Sequence, residues 1–120
     1  MKVIIAGSRS LPITQESFDQ CIKDSGYNIV ELVSGRSGII DHMGEDWAYK
    51  RNIQIVLFPA DWSALGLKAG PIRNAQMAEY ADALIAFWDG KDLDVADLMK
   101  KMKLKGKPVY DALAKERGSK

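Results

Sequence analysis

Residues 81–90 read ADALIAFWDG, a run of six apolar side chains at 83–88 followed at once by an Asp-Gly turn. Unbroken apolar runs of this length are typical of strands that are covered on both faces, as in parallel sheets. The run Val-Ile-Ile-Ala at 3–6 has the same character and ends at Gly7. The pattern therefore predicts an α/β domain built on a parallel sheet.

Amphipathic segments alternate with these apolar runs. Spacing and start and stop residues predict helices over 14–25, 39–50, 71–80 and 95–105 and strands over 3–6, 28–33, 53–58, 83–88 and 107–110. The segment 59–69 is predicted to be an irregular loop. Five strands alternating with four helices predict a three-layer Rossmann-like sandwich, with a parallel sheet of about five strands joined by right-handed crossovers.

Length and composition restrict the class of protein. The 120 residues fit one hydrophobic core, so we expect a single nucleotide-binding domain over 1–110 and a C-terminal tail over 111–120. With 17 basic and 16 acidic side chains, the chain lacks the basic excess of a general nucleic-acid binder. Cys21 is the single cysteine, which excludes an intramolecular disulfide. The chain shows neither a signal peptide nor an apolar stretch of the ~18 residues that a membrane span needs, so the expected location is the cytoplasm.

Glycines and cations recur in the loops that follow the predicted strands. In open parallel sheets, ligands bind outside the carboxyl ends of the strands. The candidate ligand-binding residues are Gly7, Ser8 and Arg9 after the first strand, Ser34, Gly35, Arg36, Ser37 and Gly38 after the second, Arg73 and Asn74 after the third, and Trp88, Asp89 and Gly90 after the fourth. Glycine lets backbone N–H groups approach an anion, and the arginine fork suits phosphate oxygens. The loops therefore predict a site for a phosphate-bearing nucleotide or nucleotide derivative.

Aromatic and titratable residues leave some alternatives open. Trp62 and Trp88 either stack on a base or cover the loops, and both readings stand. Trp47 falls on the buried stripe of the second helix, whereas His42 faces away from it. Because no GxGxxG, GxxxxGK[ST] or HExxH motif and no second histidine is present, we assign no catalytic residue, metal ligand or cofactor.

Four segments carry a family resemblance: 33–41, 58–62, 69–77 and 80–90. They resemble the small stand-alone members, from bacteria and phages, of the SLOG superfamily of Rossmann-like domains, which also includes the DprA and Lonely Guy phosphoribohydrolase groups. The resemblance extends over residues 1–110. It implies binding of a nucleotide or related ligand, self-association into a homodimer or larger homo-oligomer and, in some branches, cleavage of the N-glycosidic bond of nucleoside monophosphates.

The chain departs from this family's pattern at three places. Arg36 stands where a glycine is usual, Asp94-Val95 replaces a Gly-Thr pair, and Leu98 occupies the position of the hydrolase branch's catalytic glutamate. Arg73 matches the arginine which that branch uses near the ligand. The resemblance therefore favours a protein that senses or sequesters a nucleotide. The alternatives are an N-glycosidic hydrolase of nucleoside phosphates and an interaction scaffold with a degenerate pocket.

Overall fold

The computed structural model describes residues 1–9 and 11–113. The strands are β1 (Lys2–Gly7), β2 (Glu31–Ser34), β3 (Gln54–Leu57), β4 (Ala83–Phe87) and β5 (Val109–Asp111). The helices are α1 (Gln15–Ser25), α2 (Ile39–Lys50), α3 (Trp62–Leu65), α4 (Ala69–Tyr80) and α5 (Leu93–Leu104), with a 3₁₀ turn, Gly66–Lys68, between α3 and α4. Of the tail predicted over 111–120, residues 114–120 lie outside the described part of the chain.

All five strands are parallel and lie in the order β3-β2-β1-β4-β5. The predicted α/β class and parallel five-stranded sheet are thus confirmed. Strand order reverses between β1 and β4, where Ile5 lies opposite Ile85 in register. In doubly wound sheets this reversal opens a crevice beyond the carboxyl ends of the two strands, and the loops after β1 and β4 border it.

Helices cover the sheet on both faces, which explains the unbroken apolar runs. Successive strand residues point to opposite faces. Val3 and Ile5 pack with α1 and α2, where the Phe18 ring stacks on Phe87 with 5.0 Å between centroids. Residues Ile4 and Ala6 instead join the core formed with α4 and α5. Both core layers are therefore needed to bury a single strand.

Element boundaries follow local hydrogen bonds. The Thr14 hydroxyl accepts from the Ser17 N–H at 3.1 Å and starts α1, while Gly26, with φ of 73°, ends it in the left-handed region. The prediction of an irregular loop over 59–69 was wrong in part, because residues 62–65 form the short helix α3. Asp61 caps this helix by accepting from the Ala64 N–H at 3.1 Å. Among the described residues, no helix has the length and apolar character to cross a membrane.

Candidate functional site

The loops after β1 and β4 are tied to each other at the crevice. The Ser8 N–H donates to the Phe87 carbonyl at 3.0 Å, and the Ser8 hydroxyl accepts from the Asp89 N–H at 3.0 Å. Ser8 is fully buried by these contacts. Its position at the carboxyl edge is as predicted, but its hydrogen bonds join two loops and face no open space.

The loop after β4 uses its own carboxylates to satisfy its backbone. Asp89 Oδ1 accepts from the Lys91 and Asp92 N–H groups at 2.7 and 2.9 Å, and these bonds hold the Asp89 pKa below its ordinary value. Asp92 Oδ1 in turn accepts from the Asp94 and Val95 N–H groups and caps α5. A carboxylate already occupies the N-terminus of α5, which leaves it unsuited to a second anion.

Arg73 is buried, and its guanidinium donates hydrogen bonds to acceptors inside the protein. Its side chain is 2% exposed, and Nη1 donates to the Gly35 carbonyl at 2.6 Å. Nη2 donates to Asp94 Oδ2 at 3.2 Å, and Nε donates to Asn74 Oδ1 at 2.9 Å. In this structure the Asp94 carboxylate and the Gly35 carbonyl take the place beside the Arg73 guanidinium that the sequence analysis assigned to a phosphate.

Gly35 and Asn74 belong to the same hydrogen-bonded cluster as Arg73 and Asp94, which we call the buried bracket. A Cβ on Gly35 would meet Arg73 Nη1 at 2.7 Å, so the glycine makes room for the arginine. The Asn74 amide donates to Asp94 Oδ1 at 3.0 Å and to Asp97 Oδ2 at 3.1 Å. In this structure Gly35 and Asn74, both candidate ligand residues, join the end of β2 to α4 and α5 at the carboxyl edge.

Arg36 is held against α2. Its φ of 54° lies in the left-handed region, which explains why a glycine suits this position. Its Nε is 3.5 Å from Glu45 Oε2, and the same carboxylate oxygen accepts from the Ser34 hydroxyl at 2.6 Å. Arg36 remains about two-fifths exposed, so it adds positive charge near the edge while its guanidinium has an acidic partner.

The N-terminus of α2 differs from that of α5. Gly38 is its N-cap and supplies no side-chain cap, and Ser37 donates its N–H to Asp41 Oδ2 at 2.9 Å. Arg9 lies beside this helix start, with its Cγ 3.6 Å from the point where a Gly38 Cβ would be. Within residues 1–9 and 11–113, the Arg9 guanidinium has no hydrogen-bond or ion-pair partner. Uncapped N–H groups next to an unpaired guanidinium form an anion-binding arrangement.

A groove of about 420 Å³ adjoins Arg9 at the carboxyl edge. Its apolar lining comes from Trp62, Leu67, Pro71 and Leu93, all of which are exposed to solvent. The volume falls within the ~300–1,000 Å³ typical of small-molecule sites. Of the two tryptophans considered for stacking, Trp62 lines this groove, whereas Trp88 packs against the core and donates its indole N–H to the Asp92 carbonyl at 3.0 Å.

Sequence reasoning missed Asp41, which lies in the first turn of α2. The residue is 1% exposed, and its Oδ1 atom has no hydrogen-bond partner in the described structure. Burial raises the Asp41 pKa, whereas hydrogen bonds from Ser37 and the charge of Arg73 oppose the rise. Asp41 and Arg73 line a cavity of about 10 Å³, the space of about one water molecule. The available signal was an acidic residue on the buried side of a helix, directly after a Gly-Arg-Ser-Gly turn.

Other titratable residues add no further site. His42 is exposed on α2, as its helix position predicted. Among the described residues, no group of three or more His, Cys, Asp or Glu side chains is arranged to hold a metal ion. The candidate site is therefore the α2 N-terminus with Arg9, together with the adjoining groove.

Comparisons with known proteins agree with this architecture. Gene 61 protein of Mycobacterium phage D29 is 30% identical over 119 residues, a match that covers 92% of this chain and 94% of that protein. DNA processing protein A (DprA) of Streptococcus pneumoniae shares the fold, with a TM-score of 0.73 at 15% identity. That match covers 94% of this chain and 53% of the DprA chain, so the protein spans about half the length of that structure. A family model matches residues 1–64, and with the phage relative it establishes that the chain belongs to the YspA, cpYpsA-related SLOG family.

Proposed function

We propose that the protein binds a phosphate-bearing nucleotide or nucleotide derivative at the carboxyl edge of its sheet, and that it senses or sequesters this ligand. The phosphate lies over the N-terminus of α2 beside Arg9, and the rest of the ligand extends into the adjoining groove. Membership in a SLOG family is consistent with a nucleotide-related ligand and names no particular one.

One observation carries the placement of the phosphate. Of the three arginines at this edge, Arg73 pairs with Asp94 and Arg36 pairs with Glu45, which leaves the Arg9 guanidinium unpaired within the described residues. Arg9 also stands beside the helix start that no side chain caps. A phosphate there receives hydrogen bonds from backbone N–H groups and a charge-assisted bond from the Arg9 guanidinium, without breaking an ion pair of that side chain; the nearby Asp92 carboxylate accepts from the Arg9 backbone N–H at 3.4 Å.

The test is isothermal titration calorimetry with AMP, GMP, CMP and UMP, each beside its parent nucleoside. We expect at least one monophosphate to bind, and to bind more tightly than its nucleoside. Arg9→Gln should weaken that binding roughly ten- to hundredfold, since a hydrogen bond to a charged group contributes about 1.5–3 kcal/mol. The phosphate-free nucleoside should lose little affinity in the same variant.

Lys23→Gln is the matched control, because it removes one positive charge from the exposed last turn of α1. That turn follows β1 by one full helix and so lies at the opposite edge of the sheet, where it should not affect affinity. Equal losses in Arg9→Gln and Lys23→Gln would reduce the effect of Arg9 to net charge. Failure of every monophosphate to bind would refute the proposed function.

A further inference from the structure

Two carboxylates, Asp94 and Asp97, line the same groove as Arg9. Their side chains are 31% and 32% exposed. An ionised carboxylate can only accept hydrogen bonds, so it repels a phosphate and favours a hydroxyl donor. The lining therefore has a cationic part suited to phosphate and an acidic part suited to hydroxyl groups.

Hydrogen bonds from neighbouring side chains hold both carboxylates in place. Asp94 receives hydrogen bonds from Arg73 and Asn74, and Asp97 receives them from Asn74 and Lys101. These contacts already restrict the rotamers of Asp94 and Asp97. The entropy lost when a ligand orders the two side chains is therefore small. The acidic lining is preorganised.

Gly70 brings the aromatic wall close to this acidic lining. A Cβ on Gly70 would lie 3.2 Å from Asp94 Oδ1 and 3.3 Å from Trp62 Cη2. The indole ring and the carboxylate are thus less than two contact distances apart, with only a glycine between them. A planar group on Trp62 would have the substituent next to it within reach of Asp94.

The cavity behind Asp94 adds an independent observation. Asp41 Oδ1 is an unpartnered acceptor on a residue that is 1% exposed, and the cavity it lines shares Asp94 with the groove. An unmade hydrogen bond of this kind is costly for a buried polar atom. Asp41 lies in this small cavity and does not line the groove, but it places a third acidic side chain directly behind Asp94. This end of the groove is therefore rich in hydrogen-bond acceptors, which favours a ligand that donates hydrogen bonds to Asp94 and Asp97.

We propose that the groove binds the ribonucleoside part of the ligand, with its base against Trp62 and its ribose hydroxyls donating to Asp94 and Asp97. The carboxylates make the protein selective for ribose over deoxyribose. This inference rests on the proposed function, because it supplies the sugar and base subsites for a ligand whose phosphate lies at Arg9.

The experiment compares AMP, GMP, CMP and UMP with their 2′-deoxy and 3′-deoxy counterparts by calorimetry. Removal of a hydroxyl that donates to a carboxylate should weaken binding about tenfold or more. Asp97→Asn should reduce that preference to a small factor, whereas Asp46→Asn, an exposed acidic residue paired with Lys50 on α2, should leave it unchanged. Trp62→Ala should weaken ribo and deoxy ligands alike, roughly ten- to hundredfold, because stacking does not depend on the hydroxyls.

The outcomes separate this inference from the proposed function. Equal affinity for ribo and deoxy ligands, with Arg9-dependent binding intact, would overturn the inference and leave the proposed function standing. A ribose preference that survives unchanged in both Asp97→Asn and Asp94→Asn would overturn the assignment to these carboxylates. Absence of binding by every nucleotide would overturn both. The wild-type comparison needs no variant, so the test holds even if a substitution prevents folding.

Discussion

Replacement of Arg73 by methionine tests whether this arginine braces the fold or faces the ligand. Methionine keeps an unbranched apolar stem but removes the donors to the Gly35 carbonyl, Asn74 and Asp94. Loss of the bond to the buried Gly35 carbonyl costs about 1–3 kcal/mol. Asp94 loses its ion pair but keeps the Asn74 amide and about one-third exposure, so its share is limited to about 1 kcal/mol.

These contributions predict a loss of about 2–4 kcal/mol in the free energy of unfolding. For a chain of this size the loss corresponds to a fall in Tm of about 6–20 °C. The assay is thermal and urea denaturation of the ligand-free protein, followed by circular dichroism. Arg51→Met is the control, because Arg51 is exposed, lies 4.6 Å from the Trp47 ring centroid and should contribute less than about 1 kcal/mol.

A double substitution separates the two causes. Asp94→Asn in the Arg73→Met background removes the unpaired carboxylate, so it should recover about 1 kcal/mol relative to Arg73→Met alone. If Arg73→Met melts within about 2 °C of the parent, the arginine contributes under ~1 kcal/mol to stability. Combined with a loss of nucleotide affinity, that result would refute the buried bracket and restore the sequence-based view of Arg73 as a phosphate ligand.

Three further predictions concern stability, pH and turnover. Gly7→Ala should lower stability by about 1–3 kcal/mol, because its Cβ would lie 2.5 Å from Ile40 Cγ1 in the core, whereas Gly38→Ala meets only an ordinary contact and should cost less in the same melts. Burial raises the pKa of Asp41, so the native state binds that proton more tightly than the unfolded chain does. The stability that this proton contributes is fully present below the unfolded pKa of about 3.9. It is lost as the pH rises through the higher pKa of the folded state. Asp41→Asn escapes this loss, and its Tm relative to the parent should rise between pH 4 and pH 7, whereas a constant difference would contradict the reasoning. Incubation with nucleoside monophosphates should release no free base, as measured by chromatography. The reason is that Leu98, at the position of the hydrolase glutamate, is a buried core residue without a titratable group. Base release that disappears in Asp97→Asn would show that the protein is an enzyme.

Local and periodic features were predictable from the sequence. Apolar runs at 3–6 and 83–88 predicted strands covered on both faces, and α2 begins and ends at the predicted residues, Ile39–Lys50. Strand β2 begins at Glu31, later than the predicted residue 28, because the Val30 N–H donates to the Met1 carbonyl outside the sheet ladder. Apolar period and helix caps act over a few residues, so these features can be read without knowledge of the fold.

The roles of the candidate site residues depended on contacts between distant segments. Arg73, Arg36 and Arg9 look alike in the sequence, since each is a cation near a glycine after a strand. In the structure Asp94, 21 residues beyond Arg73, neutralises one arginine, and Glu45 pairs with the second. The third keeps its guanidinium unpaired within the described residues. Composition and spacing determined that cations collect at one edge of the sheet. Only the tertiary packing decided which of these cations is available to a ligand. The physical reason is that a guanidinium binds the nearest preorganised carboxylate, whatever its distance along the chain.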